Sequence, residues 1–278
     1  MTGDDLPPLR EVIAKYDLAA RRALGQNFLL DLNLTGKIAR AAGDLASGTT
    51  IEIGPGPGGL TRALLNHGAR ELIAIERDAR CLGALAEISA AYPGKLTVIE
   101  GDALTVDCAK LGSAPRRIVA NLPYNIATPL IIKWLQQGAA FTSLTVMVQK
   151  EVADRLIAKP RSKDYGRLSI VTQFLAKPRR LFDLPPRAFV PAPKVTSTVI
   201  ELLPLPEPAF PARLSDLERV TQAAFGQRRK MLRQSLRSLG GDTEALMAAA
   251  EITPTARAEE LTVAQFAALA RALEKQRT

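Results

Sequence analysis

The chain has 278 residues, 47% of them hydrophobic, enough for one large domain and a smaller companion. No apolar run is long and uncharged enough to span a bilayer, and residues 1–20, with Asp4, Asp5, Glu11 and Asp17, lack the apolar core of a secretion signal. Cys81 and Cys108 with the single His67 exclude a disulfide scaffold and a zinc site and imply a reducing cytoplasm, while a net charge of +9 suits a polyanionic partner such as nucleic acid.

Leu9, Val12, Ile13 and Tyr16 share one face of a short helix. Gly25-Gln26-Asn27 then suits a turn whose amides can reach a polar ligand. Leu34, Ile38 and Ala41 mark a second helix, ending near Gly43. The next stretch, Ile51-Glu-Ile-Gly-Pro-Gly-Pro-Gly-Gly-Leu-Thr61, reads as a buried strand, a glycine turn and a helix that resumes at Leu60. This is the entry to a nucleotide-binding βαβ unit, where glycine lets the backbone turn sharply and a ligand approach without a Cβ in the way. Gly54, Gly56 and Gly59 satisfy G-x-G-x-x-G, a spacing that NAD and FAD sites share. Glu76 closes a second strand over 71–75, where an acid accepts the hydroxyls of a ribose in an adenosine cofactor of either kind. Pro55 and Pro57 remove backbone donors that a pyrophosphate uses, which favours S-adenosylmethionine.

A helix from about Asp78 to Tyr92 is stopped by Pro93-Gly94, and a third strand over 96–99 runs toward Asp102. An Asp just past a strand's carboxyl end is placed to accept the exocyclic amine of an adenine, or simply to cap the next turn. The fourth strand, 117–120, delivers Asn121-Leu122-Pro123-Tyr124. Leu130, Ile131, Trp134 and Leu135 then read as the core face of a helix, 143–148 as a strand and 150–158 as a helix. After the basic loop Lys159–Lys163 come a helix over 168–175 and strands near 179–182 and 195–203. Alternating strands and helices imply a parallel sheet covered on both faces. Leu203–Pro211 is a proline-rich linker, beyond which the pattern is helical only. There, Ser215-Asp-Leu-Glu218 and Thr262-Val-Ala-Gln265 have the form of capping boxes. Arg229, Arg233 and Arg237 recur every four residues along one helical face, a stripe that either tracks a phosphate backbone or is simply solvated.

Asn-Leu-Pro-Tyr after a fourth strand resembles the motif of the amino-N6-adenine methyltransferases. Taken with Leu24-Gly-Gln-Asn-Phe-Leu29, Glu52–Thr61, Phe189-Val-Pro-Ala-Pro-Lys-Val195 and Phe225-Gly-Gln-Arg-Arg-Lys-Met-Leu-Arg233, the chain is similar to the KsgA-type small-subunit rRNA adenine dimethyltransferases from about residue 20 to its end. The resemblance implies an α/β fold, a Rossmann-like seven-stranded methyltransferase sheet with a small C-terminal all-helical domain. The boundaries expected are 1–205 for the S-adenosylmethionine-dependent domain and 206–278 for a helical RNA-binding domain. It also implies transfer of two methyl groups to N6 of each of two adjacent adenines near the end of small-subunit rRNA. The expected partner is that rRNA in the assembling small subunit, with no membrane, no metal and a monomeric protein.

The residues expected to hold the cofactor are Asn27, Leu29, Gly54, Glu76, Asp102 and Asn121. Adenine N6 is a poor nucleophile because its lone pair is delocalised into the ring. If the Asn121 side-chain oxygen and the Leu122 carbonyl accept its two N–H bonds, the nitrogen can pyramidalise toward the methyl group, with Pro123 fixing the backbone direction. Tyr124 offers a face on which a splayed-out base stacks, and the resemblance makes Phe189 the second face, although a core anchor is its plainer local reading. Arg228, Arg229, Lys230, Arg233 and Arg237 are the expected RNA contacts. Two alternatives share much of the pattern: an enzyme that modifies large-subunit rRNA, and a non-catalytic factor that keeps the fold and binds nucleic acid.

Overall fold

The computed structural model describes residues 6–21 and 25–277. Asp4, Asp5, Arg22 and Leu24, the first residue of the Leu24–Leu29 motif, therefore lie outside the described residues. Contacts divide the chain into two compact units, residues 1–153 with 179–204, and residues 154–178 with 205–278.

The first unit is built on a sheet of β2 (Thr49–Ile53), β3 (Glu71–Glu76), β4 (Leu96–Glu100), β5 (Arg116–Asn121), β6 (Ser143–Gln149), β7 (Ala176–Leu184) and β9 (Ser197–Pro204), in the order β4-β3-β2-β5-β6-β9-β7. β1 (Phe28–Leu29) and β8 (Phe189–Val190) form a separate antiparallel pair. The five strands β2 to β6 are parallel, and β9 returns antiparallel to β6. All five residues of β2 are buried, as expected of a parallel strand covered on both faces. Helices α1 (Leu9–Lys15), α2 (Leu32–Ala41), α3 (Gly59–Asn66), α4 (Leu82–Ala91) and α5 (Ala127–Leu135) accompany this sheet, and α6 (Lys150–Ile157) begins in this unit and ends in the second.

From β2 the chain steps outward through β3 to β4, then returns to the other side of β2 with β5. Strand order thus reverses between β2 and β5. At such a point the two following connections leave in opposite directions and open a crevice at the carboxyl edge. Pairing of Ile53 with both Ile75 and Ala120, and of Glu76 with Glu100, brings the ends of β2, β3, β4 and β5 level along that edge.

The second unit contains α7 (Arg167–Leu175), α8 (Leu214–Gly226), α9 (Leu232–Ser235), α10 (Thr243–Ala249) and α11 (Val263–Lys275). Its aromatic centre runs from Tyr165, edge-on to Phe225, to Phe266. Residues 154–178, which the sequence reading set with the sheet, sit here because α7 buries Leu168, Ile170, Val171, Phe174 and Leu175 and packs on α8. The Thr262 capping box forms: Gln265 N–H donates to the Thr262 hydroxyl at 3.3 Å and Thr262 N–H to Gln265 Oε1 at 2.9 Å. Ser215 does not cap its helix. α8 begins one residue earlier, at Leu214, and Asp216 turns inward to meet the Arg277 guanidinium at 2.7 Å.

Candidate active site

The crevice at the strand reversal is a cavity in the first unit, walled by Gly25–Phe28, Gly54 and Gly56, Glu76 and Arg77, Gly101–Ala103, and Asn121–Ile126, with Ile53 and Ile75 beneath. Each wall is the segment that follows a strand, or the loop before α2.

The glycine turn has left-handed backbone at Gly54, Gly56 and Gly58, with φ of 67°, 55° and 88°. A Cβ on Gly58 would lie 2.1 Å from the Ile88 side chain, whereas one on Gly54 would meet nothing within 4 Å. Gly58 therefore serves close packing of α3 on α4, and Gly54 leaves open space at the cavity wall. Every backbone N–H from 54 to 58 is absent or used: Pro55 and Pro57 have none, Gly54 donates to Ile75 O, Gly56 to Glu76 Oε2, and Gly58 to Pro55 O. A pyrophosphate needs such donors, so the turn suits an adenosine ligand without one.

Glu76 ends β3 and is 5% exposed. Its Oε2 accepts from Gly56 N–H at 2.9 Å and its Oε1 from Asp78 N–H at 2.7 Å. Burial pushes this carboxyl above its ordinary value, and the backbone donors partly oppose that shift. Each oxygen keeps a lone pair for a further donor. Asp102 lines the cavity with Oδ1 capping Leu104 N–H at 2.9 Å and Oδ2 3.3 Å from Arg77 Nη1. The capping role is thus present, and the second oxygen lies beside the exposed Arg77 guanidinium.

Beneath the turn, Glu52 is 1% exposed and accepts a 2.7 Å bond from the Thr61 hydroxyl. Burial, opposed by that bond and reinforced by nearby Glu76, pushes its carboxyl up to about 8, so it is largely protonated at neutral pH. Because folding raises this pKa above the ordinary 4.5, the contribution of Glu52 to stability is full below about pH 4.5 and is lost as pH rises toward 8. Glu52→Gln keeps an acceptor for Thr61 and removes the titration. Its thermal stability is expected to gain on the wild type across that pH window, reaching on the order of a few kcal/mol by pH 8. Parallel melting curves from pH 4.5 to pH 8 would contradict this.

Asn121 ends β5, and its Nδ2 donates to Asn27 O at 3.1 Å. That bond fixes which way the amide faces and leaves Oδ1 without a donor among the described residues. The Leu122 carbonyl, next along the wall, likewise receives none, while Leu122 N–H is held by Met147 O at 3.2 Å. Tyr124 is half-buried, its hydroxyl 2.8 Å from Ser197 Oγ on β9, and burial raises its pKa, so the phenol stays neutral. The loop holding Asn27 is tied down by Gln26, whose Nε2 donates to Asp78 Oδ2 at 3.0 Å. Asp78, held down to about 2 mainly by its bonds with Arg80, stays charged in this role.

Asn27, Gly54, Glu76, Asp102, Asn121, Leu122, Pro123 and Tyr124 thus converge on one cavity. Leu29 and Phe189 do not join them. They pair across the two-stranded sheet and are buried in the hydrophobic core, at 7% and 3% exposure. Phe189 is buried in the core cluster, in keeping with its plainer reading as a core anchor. Sequence reasoning did not single out Phe28 and Arg77, which line the cavity directly beside the chosen Asn27 and Glu76.

In the second unit the continuous arginine stripe does not form. α8 ends at Gly226, residues 227–230 turn, and Met231 makes a bridge to Arg257, so Arg229 is off the helix that carries Arg233. Arg228 is ion-paired, its Nε 3.0 Å from Glu259 Oε2. Arg229, Lys230, Arg233 and Arg237 are exposed, and no acidic partner is found for them among the described residues. No helix among the described residues is long and apolar enough to cross a membrane, and no group of three or more metal-ligating side chains occurs among them.

A family model described as ribosomal RNA adenine dimethylase matches residues 18–275. Ribosomal RNA small subunit methyltransferase A of Rhodospirillum rubrum is 66% identical over 272 residues, which cover 98% of this chain and 94% of that protein. Its namesake in Paramagnetospirillum magneticum is 63% identical, over 97% and 96%. Among solved structures, a dimethyladenosine transferase from Plasmodium falciparum shares the fold at TM-score 0.76 and 24% identity, over 88% of this chain and 97% of that one. The 23S rRNA methyltransferase ErmE aligns at TM-score 0.68 and 27% identity, over 89% and 100%. Matched from before the glycine turn to the last helix, the chain belongs to the ribosomal RNA adenine dimethylase family.

Proposed function

We propose that this member of the family uses S-adenosylmethionine to place two methyl groups on N6 of each of two adjacent adenines near the end of small-subunit rRNA. The observation that carries the reading is the fixed amide of Asn121, with Nδ2 spent on Asn27 O and Oδ1 left at the cavity wall beside the Leu122 carbonyl. These two acceptors hold the N6–H bonds and turn the nitrogen lone pair toward the donor. Bound in the cavity, S-adenosylmethionine supplies a methyl group on a positively charged sulfur, open to in-line displacement. Glu76 accepts its ribose hydroxyls, Asp102 its adenine amine, and the open face of Gly54 admits it without steric conflict. Positioning supplies most of the acceleration, because the electrophile is already strong. Tyr124 stacks on the target base, its ring held by Ser197, and Pro123 keeps the acceptors in place.

The helical C-terminal part, from about residue 206, grips the RNA through Arg229, Lys230, Arg233 and Arg237, with Arg228 bracing the turn against Glu259. The substrate is read as the assembling small subunit, and the protein as a cytoplasmic monomer. Reversing Arg229 and Arg233 to Glu is expected to weaken RNA binding by at least about tenfold and to flatten its dependence on salt, with affinity for S-adenosylhomocysteine unchanged. Binding of rRNA that is indifferent to these reversals would make the cations ordinary surface. The activity itself is tested by incubating the protein with labelled S-adenosylmethionine and undermethylated small subunits, then locating the label by nuclease digestion and mass spectrometry. Label in two neighbouring dimethyladenosines supports the reading; label elsewhere, or none, contradicts it.

A further inference from the structure

The segment after β4 that carries Asp102 is a loop folded mostly on itself. Thr105 N–H and Val106 N–H both donate to Asp102 O, at 2.9 and 3.0 Å, and the Thr105 hydroxyl adds a third bond there at 2.9 Å. Such local turns leave other carbonyls unpaired, here those of Ala103, Leu104 and Val106. Lys133 of α5 gathers all three: its Nζ lies 3.2 Å from Ala103 O, 2.8 Å from Leu104 O and 2.7 Å from Val106 O. An ammonium has three N–H bonds and no acceptor, so this set uses its whole donor capacity. One turn further on, Gln137 Nε2 donates to Asp107 Oδ1 at 2.9 Å and fastens the far end of the loop. α5 follows directly on the Asn121–Ile126 turn, so these bonds join the wall that carries Asp102 to the wall that carries Asn121.

We propose that Lys133 is a positioning residue that sets the selectivity of the cavity for adenine. By holding three carbonyls of the loop around one charge, it fixes the backbone on which Asp102 stands and so the place where the carboxylate meets the exocyclic amine. Charge-assisted bonds of this kind are stronger than neutral ones, and losing the donor frees three acceptors at once. The inference rests on the reading of Asp102 as the acceptor for that amine.

The test compares binding of S-adenosylhomocysteine with binding of S-inosylhomocysteine, which carries a 6-oxo group in place of the 6-amino group. The wild type is expected to prefer the amine by about tenfold or more. Lys133→Met removes the donors at similar length, and the preference is expected to fall to about twofold, while Lys133→Arg, which keeps a charged donor, restores most of it. Because a ratio of two affinities is measured on whatever protein is folded, general destabilisation does not move it. Asp102→Ala is expected to abolish the preference, and adding Lys133→Met to it should change nothing more. If Asp102→Ala abolishes the preference but Lys133→Met keeps it at the wild-type value, Lys133 is only a loop staple and the inference fails. If Asp102→Ala leaves the preference intact, or the wild type has none, the reading of Asp102 fails and takes the inference with it.

Discussion

Asn121→Ala is expected to slow methyl transfer by about 10²- to 10³-fold under single-turnover conditions, with rRNA affinity nearly unchanged. The alanine removes Oδ1, one of two acceptors aimed at N6, and also the Nδ2 bond that holds Asn27 O at 3.1 Å. The second loss loosens the loop over the cofactor, so affinity for S-adenosylhomocysteine should drop as well, by a few-fold at most because only a neutral bond is lost. The split between these readouts matters. A large fall in rate with a small fall in cofactor affinity is the signature of an interaction made chiefly in the transition state. Single-turnover rates within about threefold of the wild type would refute the acceptor role.

Glu76→Ala should have the largest effect on cofactor affinity, with the Kd for S-adenosylhomocysteine rising by about 10²-fold or more. Two hydroxyl bonds to a buried carboxylate are lost, and two backbone donors, Gly56 N–H and Asp78 N–H, lose their acceptor. A 2′-deoxy analogue separates these contributions. The wild type should bind it about tenfold more weakly than the parent ligand, whereas Glu76→Ala should treat the two alike, since the ribose contact is already gone. An equal penalty for the analogue in both proteins would mean that Glu76 only braces the glycine turn. Calorimetry at neutral pH measures all four affinities.

These effects were readable in the sequence to different depths. The strands of the sheet were visible because parallel strands buried on both faces appear as short apolar runs, and β2 is buried at every residue. The glycine turn and Asn121–Tyr124 were visible because their chemistry is local: a sharp turn needs glycine, and a rigid acceptor pair suits proline. Pairings between distant short segments were not. β1 and β8 have two residues each, too few to show a period, and their pairing draws Leu29 and Phe189 into the core. The arginine spacing was real, but the Met231–Arg257 bridge and the bond from Leu232 N–H to Ala256 O interrupt the helix it suggested. Lys133 carried no signal at all, since an ordinary lysine on a helix gives no hint of the three carbonyls that surround it.

The most direct measurement is a crystal structure of the protein grown with S-adenosylhomocysteine and adenosine. The cofactor's ribose is expected on Glu76, its adenine amine at Asp102, and the N6 of the adenosine within about 3 Å of both Asn121 Oδ1 and Leu122 O. Adenosine bound elsewhere, or Asn121 Oδ1 turned away from an occupied cavity, would contradict it.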